Sequence, residues 1–218
     1  MPQRALIEQR PWLLASLVAG ISYWFVADSA IPGLWLILWK GVGVALLAVY
    51  AWAHHPVRDA HRIALVMALG ALGDMVLEVN FIGGALAFFA GHMVAIALYL
   101  RHRQAHLSTQ DKRTAVALVI GIPALSFGLT EKPEVAFYAL ALGGMAAAAW
   151  LSDFRRMQVG LGAVMFAVSD LLIFARMGPM VTSAVPHLLV WPLYYFGQFL
   201  ITVGVIGALR RKGEFAVP

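Results

Sequence analysis

The sequence predicts an all-α polytopic membrane protein: eight transmembrane helices forming one domain over residues 1–218, with both termini in the cytoplasm. Three observations carry this expectation. The first is composition. The chain is 61% hydrophobic and 12% charged, with a mean hydropathy of +0.80; a soluble domain is about half apolar and a quarter charged. The second is a series of eight apolar stretches, each close to the roughly 20 residues that cross a bilayer as a helix. The third is the placement of lysine and arginine, which alternates with those stretches as a membrane topology requires.

The stretches are 11–27, 33–52, 61–79, 84–101, 114–130, 134–151, 157–175 and 187–209. The first follows a basic start and leads into Ala27-Asp-Ser-Ala30, loosely imitating a secretory signal and its cleavage site. It is read as a first helix because every later segment is membranous too. Each break carries turn chemistry: Ile31-Pro-Gly33, His54-His-Pro56, Asn80-Phe-Ile-Gly-Gly84, Glu131-Lys-Pro133 and Gly178-Pro179. With eight spans, Arg4, Arg10, Arg58, Arg62, Arg101, Arg103, Lys112, Arg113, Arg155, Arg156, Arg210, Arg211 and Lys212 all fall on one side, thirteen of the sixteen cationic side chains. Lys132 and Arg176 fall on the other, and Lys40 is inside a span. The positive-inside rule makes the basic side cytoplasmic. Dropping or adding one span would scramble this segregation. Trp12, Trp35, Trp52, Trp150 and Trp191 lie near span ends, where aromatic belts form.

The net charge of +5 therefore reflects topology, and nucleic acid is not an expected partner. The chain contains no cysteine, which excludes disulfides, thiolate metal sites and a cysteine nucleophile. Membrane lipids are its surroundings, and the cell (inner) membrane is the expected location.

Two acidic residues lie inside the apolar stretches. Asp74 falls in Ala71-Leu-Gly-Asp-Met-Val-Leu77 and Asp170 in Ala167-Val-Ser-Asp-Leu-Leu-Ile173. A carboxylate in a span costs roughly 2.5–3.5 kcal/mol on insertion scales, so such residues are seldom kept for packing alone. At about 1.5 Å of rise per residue, both acids lie roughly 20 Å from the inner face of a ~30 Å core. Lys40, His92, Tyr194, Tyr195 and Gln198, on spans that run inward, fall at similar depth. Glu78 is one turn from Asp74 on the same face, and Asn80 lies at the outer mouth. The depths predict one polar cavity in the outer half of the bilayer. Blander roles exist for several members. Lys40 and Tyr194 can snorkel from a span end, His92 can be a hydrogen-bonded packing residue, and Gln198 and Ser169 can join helices. Asp74 and Asp170 are too deep and too short to snorkel. The two Asp segments align without gaps, a weak hint that spans one to four and five to eight are parallel repeats.

Five pieces resemble the YhhN-like lysoplasmalogenases, in order and at familiar spacing. They are Trp39-Lys40, Leu72-Gly-Asp-Met-Val-Leu77, Gly84-Ala-Leu-Ala-Phe-Phe-Ala-Gly-His92, Phe166-Ala-Val-Ser-Asp-Leu-Leu172 and Tyr194-Tyr-Phe-Gly-Gln-Phe-Leu200. Relatives commonly have proline after the lysine, where this chain has Gly41, and an aromatic soon after the histidine, where it has Met93-Val-Ala-Ile96. The resemblance implies an integral membrane hydrolase that cleaves the vinyl ether of lysoplasmalogens, a lysophospholipid substrate, to a fatty aldehyde and glycerophosphoethanolamine or glycerophosphocholine. It implies neither a cofactor nor a resident metal.

That chemistry suits the residues. Hydrolysis of a vinyl ether protonates the β-carbon and leaves an oxocarbenium ion, and two carboxyls handle an oxocarbenium-like transition state in glycosidases. Either Asp can be the acid; Asp74 is preferred for it, with Asp170 activating water and His92 relaying a proton. Lys40 would hold the lipid phosphate or keep a neighbouring Asp ionised. Tyr194, Tyr195 and Gln198 would orient head group or glycerol, with Glu78 and Asn80 beside them at the mouth. Three other classes compete: a proton-coupled transporter, a metal-dependent lipid hydrolase using His92 with both Asp residues, and a non-catalytic lipid-binding protein.

Overall fold

The computed structural model describes residues 10–54 and 58–214. Arg4 and the His55-Pro56 part of the second break lie outside the described residues. Among the described residues the chain is helical, with one isolated bridge between Arg103 and Ser152. In chain order the helices are α1 (Arg10–Val26), α2 (Gly33–His54), α3 (Arg58–Leu77), α4 (Phe81–Arg101), α5 (Thr109–Thr130), α6 (Pro133–Trp150), α7 (Leu161–Arg176) and α8 (Ala184–Glu214). A π-helical turn, Arg156–Gly160, leads into α7.

Each helix overlaps one of the eight apolar stretches. Six of the segments (α2, α3, α4, α5, the π turn with α7, and α8) are long and apolar enough to cross a membrane, and α1 is a shorter apolar helix. The helix ends have local causes. Helix α5 starts at Thr109, ahead of its apolar stretch, because Ser108 and Asp111 form a capping box. The Ser108 hydroxyl accepts from the Asp111 N–H at 3.1 Å and the Asp111 carboxylate accepts from the Ser108 N–H at 3.3 Å. It ends at Glu131, whose φ of 55° is left-handed and whose N–H returns to the Phe127 carbonyl. Pro133 then opens α6 at the first position, where a missing N–H costs nothing.

The helices form two compact units. The first comprises α1, α2, α3, α4 as far as Val94, and the end of α8 from Ile206. In it α2 packs on both α1 and α3. Two hydrogen bonds tie α1 to α2: the Ser16 hydroxyl donates to the Gly43 carbonyl at 2.6 Å and the Trp39 indole donates to the Ser22 hydroxyl at 3.1 Å. Bonds of this kind join helices where burial of apolar surface gives no drive. The second unit runs from Ala95 to Val205, and in it α5, α6 and α7 pack on one another. One end is clamped by charge: Arg156 reaches Asp111 at 2.8 Å and lies 5.2 Å over the Trp150 ring.

The interior is mostly apolar, and so is the surface. Large apolar side chains point outward, among them Phe25, Trp52, Ile82, Ile120 and Phe137, while Asp74, His92, Asp170 and Gln198 are buried. In water such a surface would aggregate; in lipid it is solvated.

Candidate active site

In the first unit the polar residues depend on close helix contacts. Gly41 lets α2 approach α3: a Cβ there would stand 2.6 Å from the Met75 side chain. This contact sets Lys40 beside the face that carries Asp74 and Glu78. The Lys40 ammonium pairs with the Glu78 carboxylate at 2.5 Å, and the glutamate remains 42% exposed. Asp74, one turn earlier on α3, is 2% exposed.

Gly73 does for α4 what Gly41 does for α2. Its missing side chain is replaced by the Phe88 ring, 2.6 Å from where a Cβ would be. His92, one turn after Phe88 on α4, is buried in this packing. The Asn80 side-chain oxygen accepts from the Gly83 N–H at 2.8 Å and caps α4.

In the second unit Asp170 sits on α7, 7% exposed. The Tyr138 hydroxyl, from α6, donates to its Oδ2 at 2.9 Å. Phe174, one turn after Asp170, meets the Tyr138 ring edge-on at 6.1 Å and 88°. Helix α8 comes against α7 through a reciprocal glycine pair, since a Cβ on either Gly162 or Gly197 would stand 2.7 Å from the other's carbonyl. That approach brings in Tyr194, Tyr195 and Gln198, all buried. The tyrosines lie in an aromatic cluster: Tyr194 packs edge-on against Phe166 at 5.2 Å, and Tyr195 stacks on Trp191 at 5.9 Å. Pro192 interrupts the hydrogen-bond ladder of α8. Nearby, the Ser169 hydroxyl donates to the Val190 carbonyl at 2.9 Å. Ser169 is thus a helix-joining donor, as its place in the sequence suggests.

The residues singled out from the sequence are therefore gathered as two sets, Lys40, Asp74, Glu78, Asn80 and His92 in one unit and Asp170, Tyr194, Tyr195 and Gln198 in the other. The carboxylate that pairs with Lys40 is Glu78, one turn from Asp74 on α3. Among the described residues, no three His, Cys, Asp or Glu side chains are grouped as metal ligands. Sequence reasoning passed over Tyr138, a tyrosine in an apolar stretch, where it reads as an interfacial or packing aromatic.

A profile of the YhhN family matches residues 35–205, most of the chain, including the parts of the helices that carry Lys40, Asp74, His92, Asp170 and Gln198. The chain belongs to the YhhN family. Among curated proteins it is 30% identical over 200 residues to the lysoplasmalogenases of Mycobacterium bovis and Mycobacterium tuberculosis, covering 82% of this chain and 73% of each relative. No solved structure matches it. The family match starts at the helix that carries Lys40 and ends within α8, beyond Gln198.

Proposed function

We propose that the protein is a membrane-embedded lysoplasmalogenase. It would hydrolyse the vinyl ether of a lysoplasmalogen to a fatty aldehyde and glycerophosphoethanolamine or glycerophosphocholine. The observation that carries the reading is the likeness to the two mycobacterial lysoplasmalogenases over four fifths of the chain. Buried carboxyls on α3 and α7, in a family member with that likeness, support an acid–base route.

In the proposed reaction Asp74 donates a proton to the β-carbon of the vinyl ether. The oxocarbenium ion that results is attacked by water, and Asp170 takes the proton that water gives up. The hemiacetal then collapses: Asp170 gives its proton to the ether oxygen, which leaves as the glycerol hydroxyl, the C–O bond breaks, and the hydroxyl proton released as the aldehyde forms returns to Asp74. One water is consumed and one C–O bond is broken. His92 carries protons to or from Asp74. Lys40, held by Glu78, meets the lipid phosphate, and Tyr194, Tyr195 and Gln198 orient the glycerol. Glu78 and Asn80 meet the polar end of the substrate at the mouth, and Asn80 also fixes the start of α4. A single-chain lipid suits a membrane-embedded hydrolase, because its tail can stay among apolar helices while its polar end meets a buried acid.

The topology belongs to the same proposal: eight spans in one domain, both termini cytoplasmic, in the inner cell membrane. The test is mass spectrometry of purified protein incubated with 1-alkenyl-lysophosphatidylethanolamine and its 1-alkyl analogue. The expected result is aldehyde from the alkenyl lipid alone, reduced about 100-fold or more in Asp74→Asn and in Asp170→Asn. Near-normal turnover by both folded variants would remove the assignment of the acids.

A further inference from the structure

We infer that Tyr138 is the positioning residue for Asp170, fixing which carboxylate oxygen meets water. The inference rests on the reading of Asp170 as the water-activating group. Its independent basis is geometric. Asp170 is buried on α7, and the Tyr138 hydroxyl of α6 donates to its Oδ2 at 2.9 Å. A carboxylate has about four lone-pair directions, so this bond engages one oxygen and leaves Oδ1 as the acceptor for a substrate water. A short side chain with two rotatable bonds is only as well placed as the group that anchors it.

The anchor is itself held. Tyr138 is the sixth residue of α6, one turn and a half past Pro133, whose fixed φ sets the first turn of the helix. Its ring is gripped edge-on by Phe174, on the same helix as Asp170 and one turn further along. Helix α7 therefore holds Tyr138 twice, once at the ring through Phe174 and once at the hydroxyl through Asp170. Helix α6 is locked against α5 behind it, where a Cβ on Gly143 would stand 2.6 Å from the Leu118 carbonyl. Register between α6 and α7 thus sets the direction of the Asp170 carboxylate. For packing alone, phenylalanine would serve as well as tyrosine; what the hydroxyl adds is its bond to the carboxylate.

The test is Tyr138→Phe in the full chain, read in two ways. In kinetics with the alkenyl lysolipid, kcat falls roughly 10- to 100-fold, as expected for losing a hydrogen bond to a charged group, while KM stays within about twofold. Combined with Asp170→Asn the variant is no slower than Asp170→Asn alone. In infrared difference spectra, the carboxyl band that disappears in Asp170→Asn shifts in Tyr138→Phe. Should Tyr138→Phe not accumulate as folded protein, Phe174→Leu removes the ring contact and keeps the hydroxyl, and it lowers kcat and broadens or shifts the same band. Wild-type kcat in Tyr138→Phe, full additivity with Asp170→Asn, or an unmoved Asp170 band would overturn the inference. If wild-type protein turns over no lysoplasmalogen, the functional reading fails, while the infrared band still decides whether Tyr138 holds Asp170.

Discussion

At the scale of single residues, the proposed function rests on charges and hydroxyls within apolar helices. The Lys40–Glu78 pair is part exposed, and exposed pairs contribute about 0–1 kcal/mol to stability. Glu78→Gln is therefore expected to leave the melting temperature nearly unchanged. It alters where the ammonium points, so the KM for lysolipid changes instead; Lys40→Ala raises it severalfold. Thermal melts beside steady-state kinetics check both halves of this statement, and a large loss of stability with unchanged KM would make the pair a structural one. Asp74 and Asp170 were legible in the sequence because an acid inside an apolar run has an obvious cost. Tyr138 was not. An aromatic in such a run has a ready packing explanation, and only the register of α6 on α7 reveals that the Tyr138 hydroxyl ends at a carboxylate.

Between elements, glycines decide how closely the helices approach. Gly162 and Gly197 each face the other's carbonyl, so Gly162→Ala forces α7 and α8 apart and is expected to cost about 1–3 kcal/mol. Gly121 on α5 has open space where its Cβ would be, and Gly121→Ala is expected to be neutral or stabilising by up to about 1 kcal/mol through helix propensity. Comparing the two variants by thermal unfolding in detergent separates steric contact from propensity; equal effects would contradict the packing described. Helix positions were readable from apolar length and turn residues. Their ends were less so, because polar first turns such as that of α5 extend a helix beyond the apolar stretch. The π turn at Arg156–Gly160 had no signal in the sequence.

For the molecule as a whole, the proposed orientation follows from the one-sided distribution of basic residues. Because the chain has no cysteine, a single introduced thiol is a clean reporter. Val79→Cys, at a highly exposed position between α3 and α4, is expected to react with a membrane-impermeant maleimide from outside the cell. His106→Cys, in the basic segment between α4 and α5, is expected to react only after the cytoplasmic side is opened. The reverse pattern would invert the topology and move the proposed cavity to the other leaflet. The membrane class and the eight helices could be read from sequence since they depend on composition and length. The partition into two compact units could not, because helices that are apolar on nearly every face carry little record of which face meets a neighbour and which meets lipid.

The central claim is that a carboxyl of this protein protonates the β-carbon of a vinyl ether, and product analysis in heavy water tests it most directly. Purified protein would be incubated with 1-alkenyl-lysophosphatidylethanolamine in D2O, stopped early, and the aldehyde analysed by mass spectrometry. The proposed chemistry predicts aldehyde carrying one deuterium at the carbon next to the carbonyl, and almost none of it from Asp74→Asn. Absence of aldehyde from folded wild-type protein, or aldehyde without deuterium, would contradict it.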